Sequence, residues 1–98
     1  MRFTWRKEKE RSNVRKHGVD FSLAARVFAD PLAETLWDGF VNGEERWRTL
    51  GALAIGEGFK VMVVVYPYPI PDDDEWVHVI SLREAVAHER RRYEISHL

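Results

Sequence analysis

The sequence predicts an α+β fold: an antiparallel sheet of four to five strands with two N-terminal helices and one C-terminal helix. Three observations predict it. Residues 6–17 are mostly helix formers without Gly or Pro, and a helical apolar stripe (Leu23, Ala24, Val27, Phe28) follows them. Residues 33–81 then read as a run of strands divided by turn residues, and helical spacing returns after Leu82. With 98 residues, 45% of them hydrophobic, the chain has the means for one modest core and reads as a single domain over 1–98.

In order, Phe3 and Trp5 alternate about Thr4 and give a short first strand. The helix over 6–17 has Val14 as its one large apolar residue, so it buries little and lies across an edge of the domain. Gly18 is the left-handed residue past its last turn, and Lys16 and His17 sit where the helix dipole favours cations. Asn13 and His17 share a helix face. Asp20 caps the second helix, which Asp30-Pro31 ends.

Residues 33–38 form a strand, 39–43 a loop and 44–55 a long strand. Gly56-Glu57-Gly58 turns the chain into a strand over 59–66. The run Val61-Met62-Val63-Val64-Val65 predicts a central strand covered on both faces. Pro67, Pro69 and Pro71 lack a ladder donor, so 67–75, with its Asp72-Asp73-Asp74-Glu75 block, is a stiff acidic connection to a strand over 76–81. A helix over 82–94 closes the chain, and the helices gather on one sheet face, the other being partly open.

Composition excludes several function classes. There is no cysteine, hence no disulfide framework and no thiolate metal site. No apolar run is long enough for a signal peptide or a membrane span, and the reading is a soluble, cytoplasmic protein with no membrane partner. The net charge of −1 gives no general attraction to nucleic acid. Its distribution is uneven: seven cations crowd the first sixteen residues and Arg90-Arg91-Arg92 lie near the end, two basic segments that a fold could join.

No nucleophile elbow or phosphate-binding glycine loop is present. His88-Glu89 begins like a zinc-protease motif, but Arg92 stands where the second histidine belongs. His17, His78, His88 and His97 lack ligand spacing, so no metal and no cofactor is expected. What remains is a set of cations and histidines. Arg46 and Arg48 share one strand face, with Trp47 and Thr49 on the other. His78 leaves the face of Val77 and Val79. Arg83 opens the closing helix, where a cation opposes the dipole and calls for an anion. Glu89, on that helix's core-facing line, needs an Arg or Lys partner. Metal-free RNA cleavage needs a base, an acid and cations on the phosphorane, all of which His, Arg, Lys and Tyr can supply. A solvated arginine face and a half-buried strand histidine fit the same residues, so chemistry alone leaves the function open.

Motifs along most of the chain narrow this. Phe3-x-Trp5, Asn13-x-x-Lys16-His17-Gly18-Val19-x-Phe21 and Ala25-x-x-Phe28-x-Asp30-Pro31 come first. Glu45-Arg46, Gly51 and Val63-Val64-Val65-Tyr66 follow, then Ile80-Ser81-x-Arg83-x-Ala85 and Glu89-Arg90-Arg91-x-Tyr93-Glu94. In these the chain resembles the BrnT family of toxins, ribonucleases of bacterial type II toxin–antitoxin pairs with a fold related to the RelE toxins. The resemblance implies a metal-independent endoribonuclease neutralised by a BrnA-like antitoxin, with operator DNA bound only through the antitoxin complex. It favours Lys16, His17, Glu45, Arg46, Arg83 and Tyr93 as site residues, with Arg91 and Arg92 as additions.

The chain departs from the family pattern at His78 (for arginine), Glu84 (for lysine) and Arg6 (for aspartate), and in a longer, more acidic loop over 67–75. His78 can then act as acid or base. The reading that results places Lys16, His17, Arg46, His78, Arg83 and Tyr93 in catalysis, and Glu45, Arg48, Arg91 and Arg92 in substrate binding. A toxin homologue that binds its antitoxin and assists repression without cutting RNA is the alternative.

Overall fold

A computed structural model describes residues 1–67 and 76–96. The elements are β1 (Arg2–Thr4), α1 (Lys7–His17), a 3-10 turn (Phe21–Leu23), α2 (Ala24–Phe28), β2 (Glu34–Val41), β3 (Glu44–Ile55), β4 (Gly58–Tyr66), β5 (Trp76–His78), β6 (Ser81–Glu84) and α3 (Ala87–Ile95). The main sheet has the order β2-β3-β4-β6 with every pair antiparallel. The class is α+β, as predicted.

The long hairpin forms where the sequence places it. Gly56, with φ of 60°, opens the two-residue turn that brings Ile55 opposite Gly58. In β4, Met62, Val63 and Val64 are almost wholly buried, as a central strand covered on both faces requires. Each such side chain contributes about 1.5–3 kcal/mol by leaving water. On one face Leu53, Met62, Val64 and Tyr66 pack with Phe21, Ala24 and Val27. Gly51 belongs to this face: a Cβ there would lie 2.4 Å from the Val27 carbonyl oxygen, so α2 sits on the strand only because the side chain is absent.

The opposite face carries Leu50, Val61 and Val63, with Ala85, Leu36, Val65 and, from α3, Tyr93 packed there. The helices therefore do not gather on one face. The 3-10 turn and α2 cover one side and α3 the other, because Val61 and Val63 point away from Met62 and Val64 and need their own cover.

Four further expectations are corrected. β2 does not stop at residue 38; it continues through a bulge to Val41, and the turn is Asn42-Gly43 alone, both at positive φ (52° and 78°). The strand over 76–81 ends at His78, and the closing helix starts at Ala87 rather than 82. Between them, Val79 N–H donates to the Thr4 carbonyl and Ile80 N–H to that of Val65. The chain thus leaves β1, its parallel partner, and joins β4 to form β6. Arg83 is a strand residue opposite Val63, so the argument from a cation at a helix start does not hold. The first strand lies outside the main sheet, paired with β5.

The outer edge of β6 meets α1. Asn13, 5% exposed, donates from Nδ2 to the Leu82 carbonyl (2.6 Å) and accepts at Oδ1 from Leu82 N–H (3.1 Å). One side-chain amide thereby satisfies both backbone groups of an edge residue. It also donates to the Val19 carbonyl (3.0 Å), which fixes the chain beyond Gly18. Val14 is exposed, so α1 is held by this polar contact rather than by its one large apolar residue. Gly18 takes the predicted left-handed conformation (φ 72°), its N–H bonded to the Val14 carbonyl. Asp20 accepts from Ser22 N–H (3.0 Å) at the start of the 3-10 turn.

Candidate functional site

The candidate residues separate into two groups with different electrostatic states. The first surrounds Glu89, which α3 points into the sheet with 2% exposure. Its Oε1 accepts from Arg83 Nη1 (2.7 Å) and from Val86 N–H (2.9 Å). Its Oε2 accepts from Arg83 Nη2 (3.0 Å) and Arg48 Nη1 (3.1 Å), and Arg48 also reaches Asp38 (3.4 Å). The partner that the sequence demands for Glu89 is thus a pair of arginines from β3 and β6. Burial pushes the Glu89 carboxyl up, but the Arg83 and Val86 hydrogen bonds and the two guanidinium charges outweigh it and hold the carboxyl below its ordinary value. The Arg83 guanidinium is raised by its hydrogen bond to Glu89.

Other α3 candidates are committed in the same way. Arg92 donates to Glu34 (Nε 3.0 Å, Nη2 2.8 Å). The Tyr93 hydroxyl makes a short bond to Asp30 Oδ2, an oxygen that also accepts from Ala52 N–H (2.8 Å). Burial first, and then the Asp30 carboxylate beside it, push the Tyr93 phenol up to about 12. Arg91 is exposed on α3, and Glu45 is exposed opposite Phe40.

The second group lines a cleft of about 320 Å³ where the N-terminal end of α1 faces β5 and the start of β3. Arg6, Lys9, Arg46 and His78 line it, with Val79 and Ile80 as apolar wall and Glu44 beside Arg46. Among the described residues Arg6, Lys9 and Lys16 form no ion pair, in contrast to Arg48, Arg83 and Arg92. Among the described lining residues, three cations stand against one carboxylate, a positive balance on a protein of net charge −1. Of the histidines at 17, 78 and 88, only His78 is half-buried. Val77 and Val79 are buried on its flanks, as the strand alternation predicts.

Lys16 and His17 are exposed and line a smaller depression at the other end of α1, shared with Lys9, Ser12, Asn13, Ile80 and Ser81. The structure therefore brings Arg46 and His78 together, puts Lys16 and His17 next along α1, and assigns Arg48, Arg83 and Tyr93 to protein partners beneath and beside α3. The cleft and the depression on α1 are lined by none of residues 90–92, and Arg90 lines a separate cavity with Tyr93 and Glu94. The acidic block over 72–75 and His97 lie outside the described residues. Sequence reasoning missed Lys9; its signal was the helical spacing Arg6-Lys9-Lys16, which puts these side chains along one side of α1.

No helix among the described residues is long and apolar enough to cross a membrane. A family model described as ribonuclease toxin, BrnT, of type II toxin–antitoxin system matches residues 5–89. No curated protein matches the chain.

Proposed function

The chain belongs to the BrnT family of ribonuclease toxins of type II toxin–antitoxin systems, and from that premise we propose that it cleaves RNA without a metal ion in the cleft lined by Arg46 and His78. One observation carries the reading: Arg6 and Lys9, neither of them ion-paired among the described residues, and Arg46, paired with Glu44, line one cleft with the half-buried His78. The cations hold the scissile phosphate and stabilise the added charge of the phosphorane. His78 takes the proton of the ribose 2′-hydroxyl, the 2′-oxygen bonds to phosphorus, and the bond to the 5′-oxygen breaks. The same imidazole returns the proton to the departing 5′-oxygen, leaving a cyclic phosphate and a free 5′-hydroxyl. A BrnA-like antitoxin neutralises the activity in the cytoplasm, and operator DNA is bound only by the toxin–antitoxin complex.

Cleavage of RNA by the purified chain in the presence of a chelator tests this. General acid–base catalysis contributes roughly 10²–10⁴-fold, so His78→Ala should fall by at least about 10². Arg46→Ala removes a charge-assisted hydrogen bond of about 1.5–3 kcal/mol, or roughly 10- to 100-fold. Wild-type rates in both variants would refute the assignment.

A second reading rests on the other group of residues. Arg48, Arg83, Arg92 and Tyr93 are all engaged with carboxylates of the protein itself. A homologue that pairs with its antitoxin and assists repression without cutting RNA would use them in this structural way. Expression of the chain alone separates the two readings. Growth arrest with RNA loss that His78→Ala abolishes supports the ribonuclease, and normal growth with a folded product supports the binding module.

A further inference from the structure

We infer that the depression at the C-terminal end of α1 is a second phosphate site, which holds the backbone phosphate of a nucleotide flanking the scissile bond in single-stranded RNA. This rests on the RNA-cleaving reading above and assigns Lys16 and His17 to substrate binding, not to proton transfer.

Three observations carry it. The depression, about 190 Å³, is lined by Lys9, Lys16, His17 and the hydroxyl-bearing Ser12 and Ser81, and among the described residues no carboxylate lines it. Lys9 and Lys16 form no ion pair among the described residues, so their charge is available to a ligand. Lys9 and Ile80 line both this depression and the cleft of Arg46 and His78, so the two are contiguous along α1.

The geometry suits an extended polyanion. Lys9 and Lys16 are two helical turns apart, about 10 Å at 1.5 Å per residue, roughly three times the ~3.4 Å rise of a stacked strand. A single nucleotide in the cleft cannot reach the far end, and a flanking one can. Ile80 lies between the two as an apolar surface for a ribose or base. The C-terminal dipole of α1 opposes an anion there, but its partial charge of about half a unit is smaller than the full charges of two lysines. Asn13, bonded to Leu82 on both sides of its amide, fixes this face of α1 against β6. The spacing of the two sites is therefore set by the fold. His17 lines the depression and not the cleft of His78, a position for contacting a neighbouring phosphate.

The test is a binding titration of the full chain with 2′-deoxy, hence uncleavable, oligonucleotides of two and six residues, at several salt concentrations. For the wild type, affinity should rise at least tenfold from the shorter to the longer. In the Lys16→Ala/His17→Ala variant most of that gain should vanish, and the slope of log affinity against log salt for the hexanucleotide should drop by about 0.7 per cation removed. Both positions are exposed, so the variant should fold and melt as the wild type does, which thermal melting checks. A full length-dependent gain in the variant, or an unchanged salt slope, overturns the site. Loss of one limb of the pH–rate profile of cleavage in His17→Ala moves His17 into the chemistry and overturns its role here. Should the wild type cleave no RNA, the cleavage reading fails by itself, while the titration still decides whether the second site exists.

Discussion

Replacing Glu89 by glutamine should remove the strongest polar anchor of α3. The carboxylate accepts four hydrogen bonds, three of them from guanidinium groups at 2.7, 3.0 and 3.1 Å, and it is 2% exposed. Glutamine keeps the shape but has one acceptor oxygen, and it turns an N–H₂ toward Arg48 or Arg83. Breaking a buried pair from one side costs about 3–5 kcal/mol. The Arg83 and Arg48 side chains remain 27% and 23% exposed and can partly rehydrate, which favours the lower end, about 3 kcal/mol. For a chain of this size that is a fall in melting temperature of roughly 12–24 °C.

The pH dependence gives the sign. Glu89 is held below its ordinary value in the folded state, so its contribution is present above the unfolded carboxylate range, near 4.3, and is lost as pH falls through the folded value. The gap between wild type and Glu89→Gln should therefore be widest at neutral pH and close in acid. Urea unfolding followed by tryptophan fluorescence from pH 7 down to pH 3 measures it. A difference under 1 kcal/mol at pH 7, or one that does not shrink in acid, would refute the account of Glu89 as a stabilising centre.

Two other consequences can be measured directly. Asn13→Ala strands both polar groups of Leu82 and should cost about 2–3 kcal/mol; Asn13→Asp should also destabilise, since a carboxylate cannot donate to the Leu82 carbonyl. Urea midpoints within 0.3 M of wild type for both would contradict the edge-sealing role. The Tyr93 phenol, pushed up to about 12, is neutral in the folded state at pH values where an unfolded tyrosine ionises. Its contribution is fully present below about pH 10 and lost as pH rises toward 12. A spectrophotometric phenol titration near pH 12 that disappears in Tyr93→Phe checks this, and a Tyr93 titration near 10 would rule out the Asp30 contact.

By itself the sequence determined the α+β class, the extent of β3 and the end of α1. Each depends on local chemistry: Gly18 and Gly56 at positive φ, and a β-branched run that fits only a covered strand. The family was legible too, because its motifs are spread along the chain. Tertiary structure alone decided β6. Leu82, Arg83 and Glu84 have ample helix propensity, yet pairing with β4 leaves Leu82 fully buried and brings Arg83 and Arg48 onto one carboxylate. Asn13 follows the same logic, since its role exists only once β6 presents an edge. The sorting of the cations could not be read either, because Arg46, Arg48 and Arg83 are chemically alike. The buried Glu89 takes two of them, and Arg46, paired with the exposed Glu44, stays on the cleft, a difference that lies in which neighbours folding brings within hydrogen-bond reach.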